Sequence, residues 1–147
     1  MHTLKNFEAG VTVISPHPRI DNVVACGSYD ETVAIFDLRK VSNQEPKPLC
    51  HSKSMGGGLW RIKWHPSNDN QLLLGAMHGG CRVVQLNNEN SDLQILQKFS
   101  SHQSMAYGAD WLAFQDQTKK VEAVASCSFY DRALYLWEVQ NNNSNFQ

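Results

Sequence analysis

Two short loops hold most of this chain's candidate nucleophiles and proton acceptors. His51, Ser52 and Ser54 lead into "SMGGGLW", residues 54–60, while His102, Ser104 and Tyr107 belong to "HQSMAYGADW", residues 102–111. A third histidine, His78, stands in the glycine-rich turn "AMHGG". A neutral imidazole can take a proton near pH 7, so each of these histidines could activate a water or a neighbouring hydroxyl. Gly56, Gly57 and Gly58 carry no side chain, so their N–H groups could approach a carbonyl oxygen closely; a tight turn into a strand explains three glycines equally well.

The elements that would position these residues follow from a repeat. Gly10, Gly58 and Gly108, together with His17-Pro18 and His65-Pro66, recur at roughly fifty residues, a period typical of repeat architectures. Each copy opens on an alternating stretch, "GVTVISPHP", "GLWRIKWHP" or "GADWLAFQD", which reads as a strand closed by a turn. A denser apolar run follows: "NVVACGS", "QLLLGAM" and "EAVASCS" read as strands buried on both faces. A third strand comes next, "DETVAIFDL", "GGCRVVQL" or "DRALYLWEV", and weaker strands "HTLKNF", "KPLCH" and "LQILQKF" precede the copies. Four antiparallel strands per unit make a β-propeller blade. The predicted fold is all-β, a partial propeller of about three four-stranded antiparallel blades with an unclosed ring. Its units cover residues 2–38, 46–86 and 93–139, followed by a polar tail at 140–147. The longer spacing at the rear of the third unit predicts an insertion in its hairpin "QDQTKK". Trp60, Trp64 and Trp111 alternate with polar residues and are expected in the core.

Composition narrows the function classes. The 147 residues are 41% hydrophobic, enough for a real core, and 13 basic against 14 acidic side chains leave a net charge of −1. With no block of like charge, nucleic acid and anionic membrane are not expected as partners. No signal-like or membrane-length apolar run occurs, so the chain is expected to be soluble and cytoplasmic. Cys26, Cys50, Cys81 and Cys127 match neither a CxxC pair nor a zinc pattern; reduced, mostly buried thiols are expected, with no metal and no cofactor.

"GSYDETVAIFD" and "YDRALYLWE" resemble the Gly-Ser-x-Asp and Trp-Asp endings of the WD-repeat family, with Phe36 and Trp137 at the aromatic position. That resemblance implies a hydrogen-bonded tetrad within a blade, which the third unit could build from His102, Ser126, Asp131 and Trp137. The second unit departs from the pattern. His78 stands where the turn aspartate is expected and Val84 where the tryptophan is expected, so His78 is available for function or is tolerated by packing.

The strings "SMGGGLWRIKWHP", "HQSMAYGADW" and "ASCSFYDRALYLWEV" are more particular. From about Gly10 to Val139 they resemble the WD-repeat diphthine methyl ester hydrolase family, also called the diphthine methyltransferase family, over its C-terminal three blades. The resemblance implies a role in diphthamide biosynthesis: hydrolysis of the methyl ester of the diphthine intermediate, with translation elongation factor 2 as protein substrate. Ester hydrolysis needs an activated nucleophile, a proton acceptor and donors facing the developing oxyanion. No G-x-S-x-G elbow is present, which excludes the usual esterase scaffold. The catalytic candidates are therefore His78, His51, Ser54 and Ser104, with His78 the preferred base. The implied substrate also carries a quaternary ammonium, which aromatic faces and carboxylates can hold. Gly57, Gly58, Tyr107, Asp110 and Tyr130 are the substrate-binding candidates, with Phe129 and Asp131 as further parts of such a cage.

Three blades do not close a ring. Met1 directly before a weak strand, and the polar tail, read as a partial product, with missing propeller blades expected upstream. The rival reading is a non-catalytic WD-repeat scaffold for protein–protein interaction.

Overall fold

The computed structural model describes residues 3–40, 47–87, 91–115 and 120–140. They form three antiparallel sheets. The first has strands β1 (Val11–Pro16), β2 (Val23–Ser28), β3 (Val33–Asp37) and β4 (Cys50–His51), in that order. The second has β5 (Arg61–Trp64), β6 (Gln71–Gly75), β7 (Cys81–Asn87) and β8 (Asp92–Phe99). The third has β9 (Ala106–Gln115), β10 (Lys120–Ser128) and β11 (Leu134–Glu138). The only helical turn among the described residues is Leu38–Lys40, and none of their helices is long and apolar enough to cross a membrane.

The sheets stack as WD-repeat propeller blades. β1 packs beside β5 and β5 beside β9, so the first strands share one edge of the stack. The second strands have neighbours on both faces, which explains the continuous apolar runs in β2 and β6. One core lies between the first two sheets, around Ile35, Leu59, Ile62, Leu72 and Leu74. Another lies between the second and third, around Leu73, Val83, Ala109, Val124 and Trp137.

Sheet membership is offset by one strand from the sequence units. β4 leads the second unit yet pairs with β3 through Ala34↔His51 and Ile35↔Cys50, and β8 closes the second sheet in the same way. The segment "HTLKNF", read as an opening strand, forms none over its described residues from Thr3. A strand there would need the third strand of a preceding sheet as ladder partner. Leu4 and Phe7 instead pack over Val24, Cys26, Ala34 and Phe36 on the outer face of the first sheet.

The glycine frame also shifts in the third unit. Gly27, Gly75 and Cys127 are equivalent, because each is the last residue of its central strand to pair with the next, and opposite them on the first strands lie Val13, Arg61 and Gly108. Gly58 and Gly108 therefore do not correspond, whereas Trp64 and Trp111 do. The corresponding tryptophans repeat an inter-sheet latch. Trp64 Nε1–H donates to Ser15 O at 3.0 Å and its ring meets His17 at 4.4 Å; Trp111 Nε1–H donates to Lys63 O at 3.2 Å and its ring meets His65 at 4.6 Å. His17 and His65 also fold their own turns, each accepting two backbone N–H bonds at Nδ1. The His-Pro repeat is thus structural.

β9 and β10 pair out to Gln115↔Lys120, well beyond the four residues of β5. The tip of "QDQTKK", residues 116–119, lies outside the described residues, as does the tail at 141–147.

The first two sheets each bury an apolar face against the next one. Val33 and Ile35, and likewise Cys81 and Val83, are fully buried there. Leu134 and Leu136 occupy the same register on the third sheet but are 68% and 64% exposed. That face is bare among the described residues, and the ring does not close.

Candidate functional site

Hairpin turns and inter-sheet loops meet at one end of the stack because each first strand is anchored at its start to the preceding sheet. Leu59 N–H donates to Ser28 O at 2.9 Å, Ala106 N–H to Met77 O at 3.0 Å, and Met55 N–H to Glu31 O at 2.9 Å. Against the turn of residues 76–80, the loop carrying Ser54 packs backbone to backbone. A Cβ on Gly57 would fall 2.2 Å from Ala76 O, and one on Gly79 would fall 2.9 Å from Gly56 C. This contact accounts for the missing side chain at Gly57. Gly58 is wedged between Met77 and Tyr29, and Gly56, at φ 87°, occupies a conformation that favours glycine.

His78 is exposed to solvent in that turn. The Ser54 hydroxyl donates to the Glu31 carboxylate and accepts from Gly56 N–H at 3.1 Å. Glu31 was not among the sequence candidates, since its turn is generic in sequence and only folding brings it to Ser54. His51 is elsewhere. It pairs with Ala34 and sets its ring against Phe7, at 6.1 Å, on the face of the first sheet turned away from the second.

Ser104 is half-buried in the next loop. Tyr107 meets Trp60 edge-on at 5.6 Å and Tyr130 at 6.2 Å, and Phe129 stands perpendicular to Tyr130 at 5.2 Å. Desolvation, followed by the neighbouring Tyr130 hydroxyl, raises the Tyr107 phenol above its ordinary value. Trp60 was expected in the core; it is 44% exposed, because it precedes the paired part of β5 and faces this aromatic group. Trp60, Arg61, Tyr107, Ser128 and Phe129 line a shallow depression of about 450 Å³. Asp110 points away from it, into an ion pair with Lys63 Nζ at 2.8 Å.

In the third sheet His102 is committed to an internal network. Trp137 Nε1–H donates to Ser126 Oγ at 3.1 Å; Ser126 lies 3.0 Å from His102 Nε2, and His102 Nδ1 lies 3.1 Å from Asp131 Oδ2. With the proton on Nδ1, one direction of donation satisfies all four groups. The His102 side chain is almost wholly buried and so does not share a surface with His78. Desolvation favours the neutral form of Asp131, but N–H bonds from Ala133 and Gln103 and the bond to His102 outweigh it, holding the carboxyl below the usual range. A depressed folded pKa contributes stability that is complete above the unfolded value, near pH ~4, and is lost as pH falls through the folded value. Acid titration followed by circular dichroism should therefore show stability falling below about pH 4, and Asp131→Asn should flatten that fall. An unchanged acid limb in the variant would contradict this role.

The second sheet has no such network. By register, Met55 replaces His102, Leu74 replaces Ser126 and Val84 replaces Trp137, and all three lie in one apolar core. Losing every buried polar member together leaves none unsatisfied. His78, in the turn, is then released to the surface.

Arg82 also escaped the sequence reading, although a signal was present: it interrupts the apolar run "GGCRVVQL". It is only 7% exposed and sits on the face of β7 toward the first sheet, with Nη2 3.4 Å from where a Cβ of Gly56 would be. Nη1–H donates to Cys81 O at 3.0 Å, whereas Nε–H has no partner.

Among the described residues no group of three or more His, Cys, Asp or Glu could hold a metal ion. Cys26, Cys50 and Cys81 are free and buried, and Cys127 is free and exposed. Burial pushes the Cys50 and Cys81 thiols up to about 11, which makes them poor nucleophiles.

No family model matches the chain. Individual relatives do. It is 41% identical to a diphthine methyltransferase homolog of Dictyostelium discoideum, over 90% of this chain and 36% of the relative. It is 34% identical to the diphthine methyltransferase of Homo sapiens, over 76% of this chain and 24% of that protein. With the diphthine methyltransferase of Schizosaccharomyces pombe the identity is 32%, over 88% of this chain and 37% of the relative. The chain thus spans from about a quarter to somewhat over a third of the length of these relatives.

Proposed function

We propose, from the premise that this chain belongs to the diphthine methyltransferase family, that it forms part of a protein acting in diphthamide biosynthesis. Its reaction is hydrolysis of the methyl ester of diphthine on translation elongation factor 2. The observation that carries this reading is the contact of the Ser54 loop with the His78 turn, in a blade whose tetrad positions are filled by Met55, Leu74 and Val84. His78 is the proposed base. It takes a proton from water as the water oxygen bonds to the ester carbonyl carbon. The resulting oxyanion collapses, the bond to the methoxy oxygen breaks, and that oxygen takes the proton from the imidazolium to leave as methanol. The acid formed then ionises to the carboxylate. Further blades in the complete protein would cover the bare face of the third sheet, and the aromatic group of Trp60, Tyr107, Phe129 and Tyr130 would face the quaternary ammonium.

A non-catalytic scaffold is the competing reading, favoured by the exposure of Phe129 and Tyr130 at the same end of the stack. Methanol release from elongation factor 2 carrying methylated diphthine, measured with the complete protein, separates the two. Release at catalytic protein concentration is expected; binding of the factor without methanol release would establish the scaffold.

A further inference from the structure

A guanidinium cannot give up its charge at any accessible pH, so a buried arginine needs a counter-charge. Arg82 has none among the described residues. Desolvation disfavours its ionisation, the adjacent Cys81 thiol, pushed up to about 11, is uncharged near neutral pH, and Nε–H is left without an acceptor. The opposite residue on β8 is Lys98, and Leu74 is opposite on β6, so neither directly facing residue is an anion. A buried charge removed from water and left unpaired is strongly destabilising. The chain retains that cost at one particular place. Arg82 reaches the contact of the Ser54 loop with the His78 turn, its Nη2 lying 3.4 Å from where a Cβ of the exposed Gly56 would be.

We propose that Arg82 is an anion-binding residue that holds a substrate carboxyl group at this contact. Nη2 and the buried, unpaired Nε–H lie on one edge of the guanidinium, the paired donor geometry that matches two carboxylate oxygens once the glycine contact admits them. The inference rests on the proposed ester hydrolysis for what the carboxyl group is. In that reaction Arg82 stabilises the oxyanion of the tetrahedral adduct and then the carboxylate product, while the uncharged ester gains less from it. Interaction that strengthens as charge develops lowers the barrier.

Acetate is the probe, with chloride at matched ionic strength as control. In NMR spectra of the complete protein, the Arg82 Nε–H resonance should move saturably with acetate and not with chloride. Acetate should also raise the melting temperature, and Arg82→Met should abolish that rise. The unliganded variant should be no less stable than the parent, because an apolar chain of similar length replaces an unpaired charge. Arg82→Met should lower kcat for methanol release by about 10²-fold with a smaller change in KM, and Arg82→Lys should recover part of the loss. An Nε–H resonance indifferent to acetate well above the millimolar range, or equally responsive to chloride, would overturn the proposal even if Arg82→Met failed to fold. An acetate response in a protein that releases no methanol would leave the anion site standing and remove the ester reaction instead.

Discussion

Replacing His78 with alanine in the complete protein should lower methyl-ester hydrolysis by about 10²-fold or more, the loss expected when a general base is removed. Folding should be nearly unaffected. His78 is the exposed residue of a turn whose backbone is held by Gly79 N–H to Ala76 O and Gly80 N–H to Met77 O, and it is not a member of the apolar core that holds Met55, Leu74 and Val84. The same change at His51 should leave turnover near normal, since His51 lies on the opposite face of the first sheet against Phe7. Turnover of His78→Ala within a few-fold of the parent would remove His78 from the mechanism and make Ser54, with Glu31, the group to test next.

The second large effect concerns association. On its own, this chain should self-associate at micromolar concentration through the third sheet. In both other sheets the residues equivalent to Leu134 and Leu136 are fully buried by a neighbouring blade. Covering each of these leucines contributes about 1.5–3 kcal/mol, enough for two copies to occlude the same face in each other. Sedimentation of Leu134→Glu/Leu136→Glu against the parent tests this: the parent should be oligomeric and the double variant monomeric. A parent that sediments as a sharp monomer, with a cooperative melt, would contradict it.

Much of the architecture was legible in the residues because its causes are local. Alternation along a strand, apolar runs between turns and recurring landmarks are properties of one sheet, and each survives whatever packs on it. That is why three blades could be named from the chain itself, while the aromatic positions Phe36 and Trp137 and the four tetrad residues of the last blade followed from the resemblance to the WD-repeat family. The front strands were harder. Gly58 and Gly108 look equivalent in sequence, yet pairing to the central strands aligns Trp64 with Trp111 and Met55 with His102; identical letters in adjacent loops carried no information about register.

What the sequence determined alone was therefore the all-β repeat and the departure of the second unit, with His78 and Val84, from the pattern of the others; the tetrad of His102, Ser126, Asp131 and Trp137 came with the WD-repeat resemblance. Tertiary structure decided which faces meet. Neighbouring residues of a strand point to opposite sides, so Cys50 is buried between the first two sheets while His51 is carried to the far face, away from His78. The same rule turns Arg82 toward the first sheet, at the glycine contact. Whether a side chain is sealed or open, as with Val33 against Leu134 or Trp64 against Trp60, depends on a neighbour distant in sequence, and burial is the free-energy term that no single strand determines for itself.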